Sequence, residues 1–203
     1  NVQNYDDSID KLNIQANLTA KNINLGNFDV TLQDSNLLAE EKLAIDAQAI
    51  QANQSKLEAN SHVNLTAKDL IDLKQTQIQS NAAIGLAANQ VSAQQTSLEA
   101  QDTLRVNAIE NIALDKQTTL SAQDELNLVS ESGRIILTDA VDLKSKQNIN
   151  LQANKGEISV IDSNITTEQE LGLQAHDIRL DANTNSNYTS LNASNDVSLN
   201  NTA

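Results

Sequence analysis

The sequence predicts an all-β chain: a single-chain, right-handed parallel β-helix with three short strands per turn. Three observations predict it. Aliphatic residues alternate two apart in short runs, the runs recur about every 20 residues, and the chain has almost nothing with which to fill a wider core. The stretch Leu43 to His62 shows the unit. It contains Leu43, Ile45 and Ala47, then Ile50 and Ala52, then Leu57 and Ala59. Each set places apolar side chains on one face of a strand. At Val63, Leu65 and Ala67 the pattern restarts.

Composition narrows the alternatives. The 203 residues include no Cys, Met, Trp or Pro and only three aromatics, Tyr5, Phe28 and Tyr188. A globular core of this length draws on aromatics for buried area, whereas a thin core of Leu, Ile, Val and Ala does not need them. The absence of Cys removes disulfides, thiolate metal sites and a Cys nucleophile. With 27 acidic and 13 basic residues the net charge is −14, which argues against nucleic acid as a partner and against attraction to anionic lipid. The sequence has no apolar run near the length of a membrane span. The chain begins without an initiator Met and shows no secretion signal, which reads as a segment excised from a longer chain.

Taken in order, residues 1–11 are polar and irregular, and turns are expected over 12–200. First-strand positions fall at Ile23, Leu43, Val63, Ile84, Leu104, Leu126, Ile149, Leu171 and Val197. Second-strand positions fall at Val30, Ile50, Leu70, Val91, Ile112, Ile135, Ile158 and Ile178. Third-strand positions fall at Leu37, Leu57, Ile78, Leu98, Leu120, Leu143, Ile165 and Leu191. The step from each third position to the next first position is six residues, from 37 to 43 through 191 to 197. Eight to nine turns of about 20–23 residues result, and a period in this range marks a solenoid. A helix would spread Ile149, Leu151 and Ala153 over some 200° of arc, and the abundant Asn, Thr, Asp and Ser disfavour helix interiors. The same regularity argues against disorder. The right-handed expectation rests on the general handedness of parallel crossovers.

Two departures from the repeat are visible. Ser130 to Arg134 and Asn154 to Glu157 lengthen the corner after the first strand in consecutive turns. Residues 181–190 read as a corner insertion of ten residues, a surface loop offering Asn183, Asn185, Asn187 and Tyr188 to a partner.

Catalytic chemistry finds little support. Glycosidic cleavage needs two carboxyls about 5–10 Å apart. Among the outward positions only Glu58 and Glu99 approach this, two turns apart with Gln79 between them, and they read as solvated acids. His62 and His176 are the only histidines and are too far apart in the repeat to share a metal. The sequence contains no P-loop, GxSxG, HExxH or calcium-repeat motif. Triplets such as Asn17-Leu18-Thr19, Asn64-Leu65-Thr66 and Asn187-Tyr188-Thr189 match the glycosylation pattern, at a frequency this composition yields by chance. No cofactor, metal or small-molecule substrate is expected.

The pieces Val63-Asn64-Leu65-Thr66-Ala67, Asn89-Gln90-Val91-Ser92-Ala93, Ile149-Asn150-Leu151-Gln152-Ala153 and Leu171-Gly172-Leu173-Gln174-Ala175 resemble the haemagglutinin repeats of two-partner secretion exoproteins. That family includes filamentous haemagglutinin and the CdiA-like contact-dependent inhibition proteins. The resemblance covers about residues 12–200. The family places Gly after the Ala and at corners, where this chain has Lys, Asn or Gln, as at Lys68, Asn89 and Gln101, and the chain holds only five Gly. The resemblance implies a secreted protein of the bacterial cell surface whose repeats form a fibre. Such a fibre serves as an adhesin or in toxin delivery, engaging a receptor or outer-membrane component of a neighbouring cell. Three strands closing within one chain favour a monomer, and a solenoid cut from a longer one has flanking β-helix in the same chain. A β-helical spike of a phage tail or contractile injection system stays open as an alternative, and a glycan-cleaving β-helix as a weaker one.

Overall fold

Alternation is what builds the molecule. Leu43, Ile45 and Ala47 turn inward while Ala44 and Asp46 turn outward, and Ile50 and Ala52 repeat the arrangement one corner later. The computed structural model describes residues 2–3 and 11–200, with no helix among the described residues, and its twenty strands belong to one hydrogen-bonded parallel network. Most of the expected irregular N-terminal end lies outside the described residues. Residues 2–3, however, form a short strand paired with Leu25 and Gly26.

Three columns of strands stack into a β-solenoid of about ten turns. The first column runs through Ile23, Leu43, Val63, Ile84, Leu104, Leu126, Ile149 and Leu171, each paired with the next. The second begins at Leu12 and passes through Val30, Ile50, Ile71, Val91, Ile112, Ile135, Ile158 and Ile178 to Val197. The third runs from Leu18 through Leu37, Leu57, Ile78, Leu98, Leu120, Leu143 and Ile165 to Thr184. Neighbouring turns lie about 4.8 Å apart, so the rod is roughly 45 Å long. Several strands run on through corners, as Asn36–Asn53 and Asn148–Thr167 do.

The interior is a continuous aliphatic stack. Leu43, Leu57, Val63, Leu104, Leu126 and Ile149 are fully buried, and Phe28 is the one aromatic among the buried residues described. At about 25 cal/mol per Å² of apolar surface, each buried Leu or Ile contributes on the order of 2 kcal/mol. The narrow bore explains why aromatics are dispensable.

Two positions differ from the sequence expectation. Ile71, not Leu70, occupies the second column. Both are aliphatic, but only Ile71 places Leu73 in the next inward slot. Ile71 and Leu73 are both fully buried, whereas Leu70 is half-exposed. The C-terminal turn is the larger correction. Residues 181–190 contain no corner insertion: Asn183, Thr184 and Asn185 pair with Asn164, Ile165 and Thr166 as an ordinary third strand. Tyr188 then opens the next first strand opposite Glu170, Thr189 lies over Leu171, and Leu191 over Leu173. Val197 accordingly belongs to the second column, over Ile178. The last first-column step, 171 to 189, is 18 residues. Thr184 and Thr189 stand where an aliphatic residue marks every other turn from Ile23 onward, so the repeat lost its hydrophobic signature there while keeping its backbone register.

The corner between second and third strands is built without glycine. Asp34, Gln54, Gln75, Gln95, Lys116, Asp139 and Asp162 all adopt positive φ, between 48° and 55°. They stack at the corner between second and third strands, each linked to its neighbour turn through main-chain hydrogen bonds such as Gln75 N to Gln94 O, 3.0 Å. Immediately after five of them comes a buried hydroxyl, at Ser35, Ser55, Thr76, Thr96 and Ser163; after Lys116 it comes one residue later, at Thr118, and after Asp139 the equivalent place holds Val141. Thr96 Oγ1 donates to Gln94 O (2.9 Å) and lies 3.3 Å from Leu73 O, while Thr118 Oγ1 donates to Asp115 O at 2.7 Å. These hydroxyls add a second hydrogen bond to corner carbonyls such as Gln94 O, which already accepts from Gln75 N, and satisfy their own buried polar atoms in doing so.

Candidate functional site

The solenoid leaves three outward faces, and any partner must meet side chains on one of them or at a corner. A lateral face exposes no free strand edge: Leu104–Ala108, for example, pairs with Ile84–Ala88 on one side and with Leu126–Ser130 on the other.

The four residues expected on a partner-contact loop do not share a loop. Asn183 and Asn185 lie side by side on the third face, exposed, where Asn183 Nδ2 donates to Asn164 Oδ1 at 3.1 Å. With Asp142, Lys144 and Thr166 they border a shallow depression of about 610 Å³. Asn187 sits in the following corner, its main-chain N donating to Gln169 O at 3.0 Å and its side chain to Glu168 O. Tyr188 begins the next strand and is 63% exposed, the most exposed of the large apolar side chains described. The four thus wrap from one face to the next around the corner.

The acidic column on the third face has the expected register. Glu58, Gln79 and Glu99 occupy successive turns, which puts the two carboxylates about 10 Å apart. Each is engaged in an ordinary surface contact: Glu58 pairs with Lys56 at 2.6 Å, and Glu99 accepts from Gln79 Nε2 at 3.3 Å. The histidines occupy separate corners. His62 Nδ1 lies 2.5 Å from Ser61 Oγ, and His176 Nδ1 lies 2.8 Å from Asp177 Oδ2. The His176 contact, aided by a hydrogen bond from Asn195 Nδ2, holds the Asp177 carboxyl below its usual range. Glu41 is likewise lowered by hydrogen bonds from Lys21 and Asn22. No group of three or more His, Cys, Asp or Glu residues is placed to hold a metal ion among the described residues.

What the sequence reading missed is the groove on the first face. Its outward column Thr66, Ala87, Asn107 and Val129 floors a depression of about 620 Å³. Corner residues Lys68, Asn89, Ile109 and Glu131 form its wall, and Ile109 is 51% exposed. An outward Ala and Val two turns apart, Ala87 and Val129, were the available signal.

The chain matches no family model, and no curated protein or solved structure matches it at a significant level. The geometry therefore places the chain in a structural class, the parallel β-solenoids.

Proposed function

We propose that this chain is a non-catalytic structural and interaction segment of a secreted bacterial cell-surface exoprotein, an adhesin or toxin-delivery fibre that meets a receptor or outer-membrane component of a neighbouring cell. The observation that carries the proposal is the stacking itself. About ten turns close within one chain on an unbroken aliphatic core, and their outward faces are free to vary without disturbing it. Such a rod suits reach and display more than enclosure of a substrate, because its depressions are shallow and lie along flat faces. The resemblance of Val63–Ala67 and Ile149–Ala153 to haemagglutinin repeats supports the extracellular bacterial setting. Closure of each turn within a single chain supports a monomer.

Fluorescently labelled chain incubated with a panel of Gram-negative cells should bind saturably and be displaced by unlabelled chain, as read by flow cytometry. Release of reducing ends from a glycan panel overturns the non-catalytic reading. Binding that neither saturates nor is displaced removes the receptor from the proposal and leaves a spacer.

A further inference from the structure

We infer that the groove on the first face binds a neutral, linear glycan lying along the rod axis. This deepens the interaction reading above by naming a ligand class. The groove crosses four turns, one floor residue from each, and so extends about 14 Å along the axis. A ligand that fills it is elongated and meets similar chemistry once per turn, at a spacing close to one sugar residue.

Three observations select the ligand. The first is charge. The groove floor, Thr66, Ala87, Asn107 and Val129, carries no charge, and charged side chains of the first strands beyond it, such as Arg105, Glu125 and Glu170, do not line it. At the groove wall Lys68 and Glu131 offset one another. In a chain of net charge −14 this is a neutral floor on an acidic body. The body's field repels polyanions, while the floor imposes no desolvation of charge on an uncharged ligand. The second is the pairing of surfaces. Ala87, Val129 and Ile109 offer apolar contact for the C–H face of a pyranose, and Asn89 and Asn107 offer amides. An amide both donates and accepts, as a sugar hydroxyl does. The third is the absence of a lateral strand edge. A peptide has no main-chain ladder to join here, so strand addition cannot supply its affinity. A second copy of the chain is disfavoured because it would bring two bodies of charge −14 together over a small patch.

The groove holds no aromatic platform, so single-site affinity is weak, and avidity along a fibre would supply the strength.

The test is a ¹⁵N-labelled NMR titration of the full chain with hexasaccharides of β-1,4-linked glucose, N-acetylglucosamine and mannose, and with oligogalacturonate as the anionic counterpart. The expected result is saturable shifts clustered at Ala87, Asn107, Ile109 and Val129 for at least one neutral oligomer, with at least tenfold weaker response to oligogalacturonate. Ala87→Glu and Asn107→Ala point outward and should retain the wild-type circular dichroism spectrum and melting temperature, while weakening binding fivefold or more. No saturable shift with any neutral oligomer overturns the inference. So do shifts centred elsewhere, or equal binding by Ala87→Glu. Cell binding that survives in Ala87→Glu, with saccharide binding lost, leaves the proposed function standing. Saccharide binding without any cell binding removes that function instead.

Discussion

At the residue scale the corner between second and third strands is the instructive place. Nine non-glycine residues hold positive φ there, seven of them in one stack and Gln117 and Ala140 beside it. For an L-residue the left-handed region costs roughly 1–2 kcal/mol. Asp tolerates it through local hydrogen bonding, whereas Gln54, Gln75 and Gln95 have no such aid. The stacked main-chain hydrogen bonds and the buried core around them hold these residues in place. Gln95→Asn should therefore raise stability by about 0.5 kcal/mol, and Gln95→Val should lower it by more than about 1 kcal/mol. Urea denaturation of the two variants checks both signs. The next residue, Thr96, makes a second case. Its hydroxyl donates to Gln94 O at 2.9 Å, so Thr96→Val should cost about 1 kcal/mol for a lost buried hydrogen bond. The fold itself tolerates the exchange two turns away, since Val141 is fully buried at the equivalent place. A larger loss for Thr96→Ala than for Thr96→Val would separate the cavity from the hydrogen bond.

These residues also show what was legible in the sequence. Inward aliphatics were readable because period two and a 20-residue repeat reinforce each other, and most positions from Ile23 to Ile178 fall in the expected column. Positive φ was not readable, because Gln and Lys are not turn residues by type and the conformation is imposed by the stack. The hydroxyl ladder was present in the sequence as Ser or Thr two places before each third-strand aliphatic, from Ser35 before Leu37 to Thr118 before Leu120. Among so many polar residues it had no contrast. The candidate contact residues Asn183 to Tyr188 were misplaced for the converse reason: Thr184 removed the contrast that located every earlier third strand.

At the element scale the lengthened corners Ser130–Arg134 and Asn154–Glu157 behave as a unit. Gly133 and Gly156 stack so closely that a Cβ on Gly156 would stand 1.9 Å from Gly133 O, and one on Gly133 2.3 Å from Glu110 O. Those neighbours are main chain and cannot move aside cheaply. The corner is further tied by Gly133 N to Ser130 Oγ at 3.1 Å and Arg134 N to Asn111 Oδ1 at 2.9 Å. Gly156→Ala should destabilise the protein by about 2 kcal/mol or more, since overpacking against backbone has no rotamer escape. Gly172→Ala is the control. Its Cβ would meet only Asn150 Oδ1, at 2.9 Å, and an amide can turn away. Thermal melts that shift equally for the two would show that the stacked corners are looser than described.

At the scale of the whole molecule the solenoid is a one-dimensional stack in which each turn contacts only its neighbours, so stability is a sum of turn and interface terms. The consequence is positional. Leu104 sits in the middle of the first column, fully buried between Ile84 and Leu126, and Leu104→Asp places a charge where nothing can pair with it. The cost should be several kcal/mol, on the order of 3–5 for a core position. Because the lesion lies mid-stack, it severs the ladder rather than trimming an end. Asn107→Asp adds the same charge three residues away on the outward face and should move the midpoint by no more than about 0.5 kcal/mol. A terminal lesion gives the third point of comparison. Val197 and Leu199 face inward in the last described turn yet are 42% and 49% exposed, having a partner turn on one side alone. Val197→Asp should then leave the central turns intact, with hydrogen-exchange protection lost from about residue 188 onward and retained at Leu65, Leu86 and Val106. If Val197→Asp instead melts the rod as cooperatively as Leu104→Asp does, the turns are coupled over more than nearest neighbours, and the additive description of the stack fails.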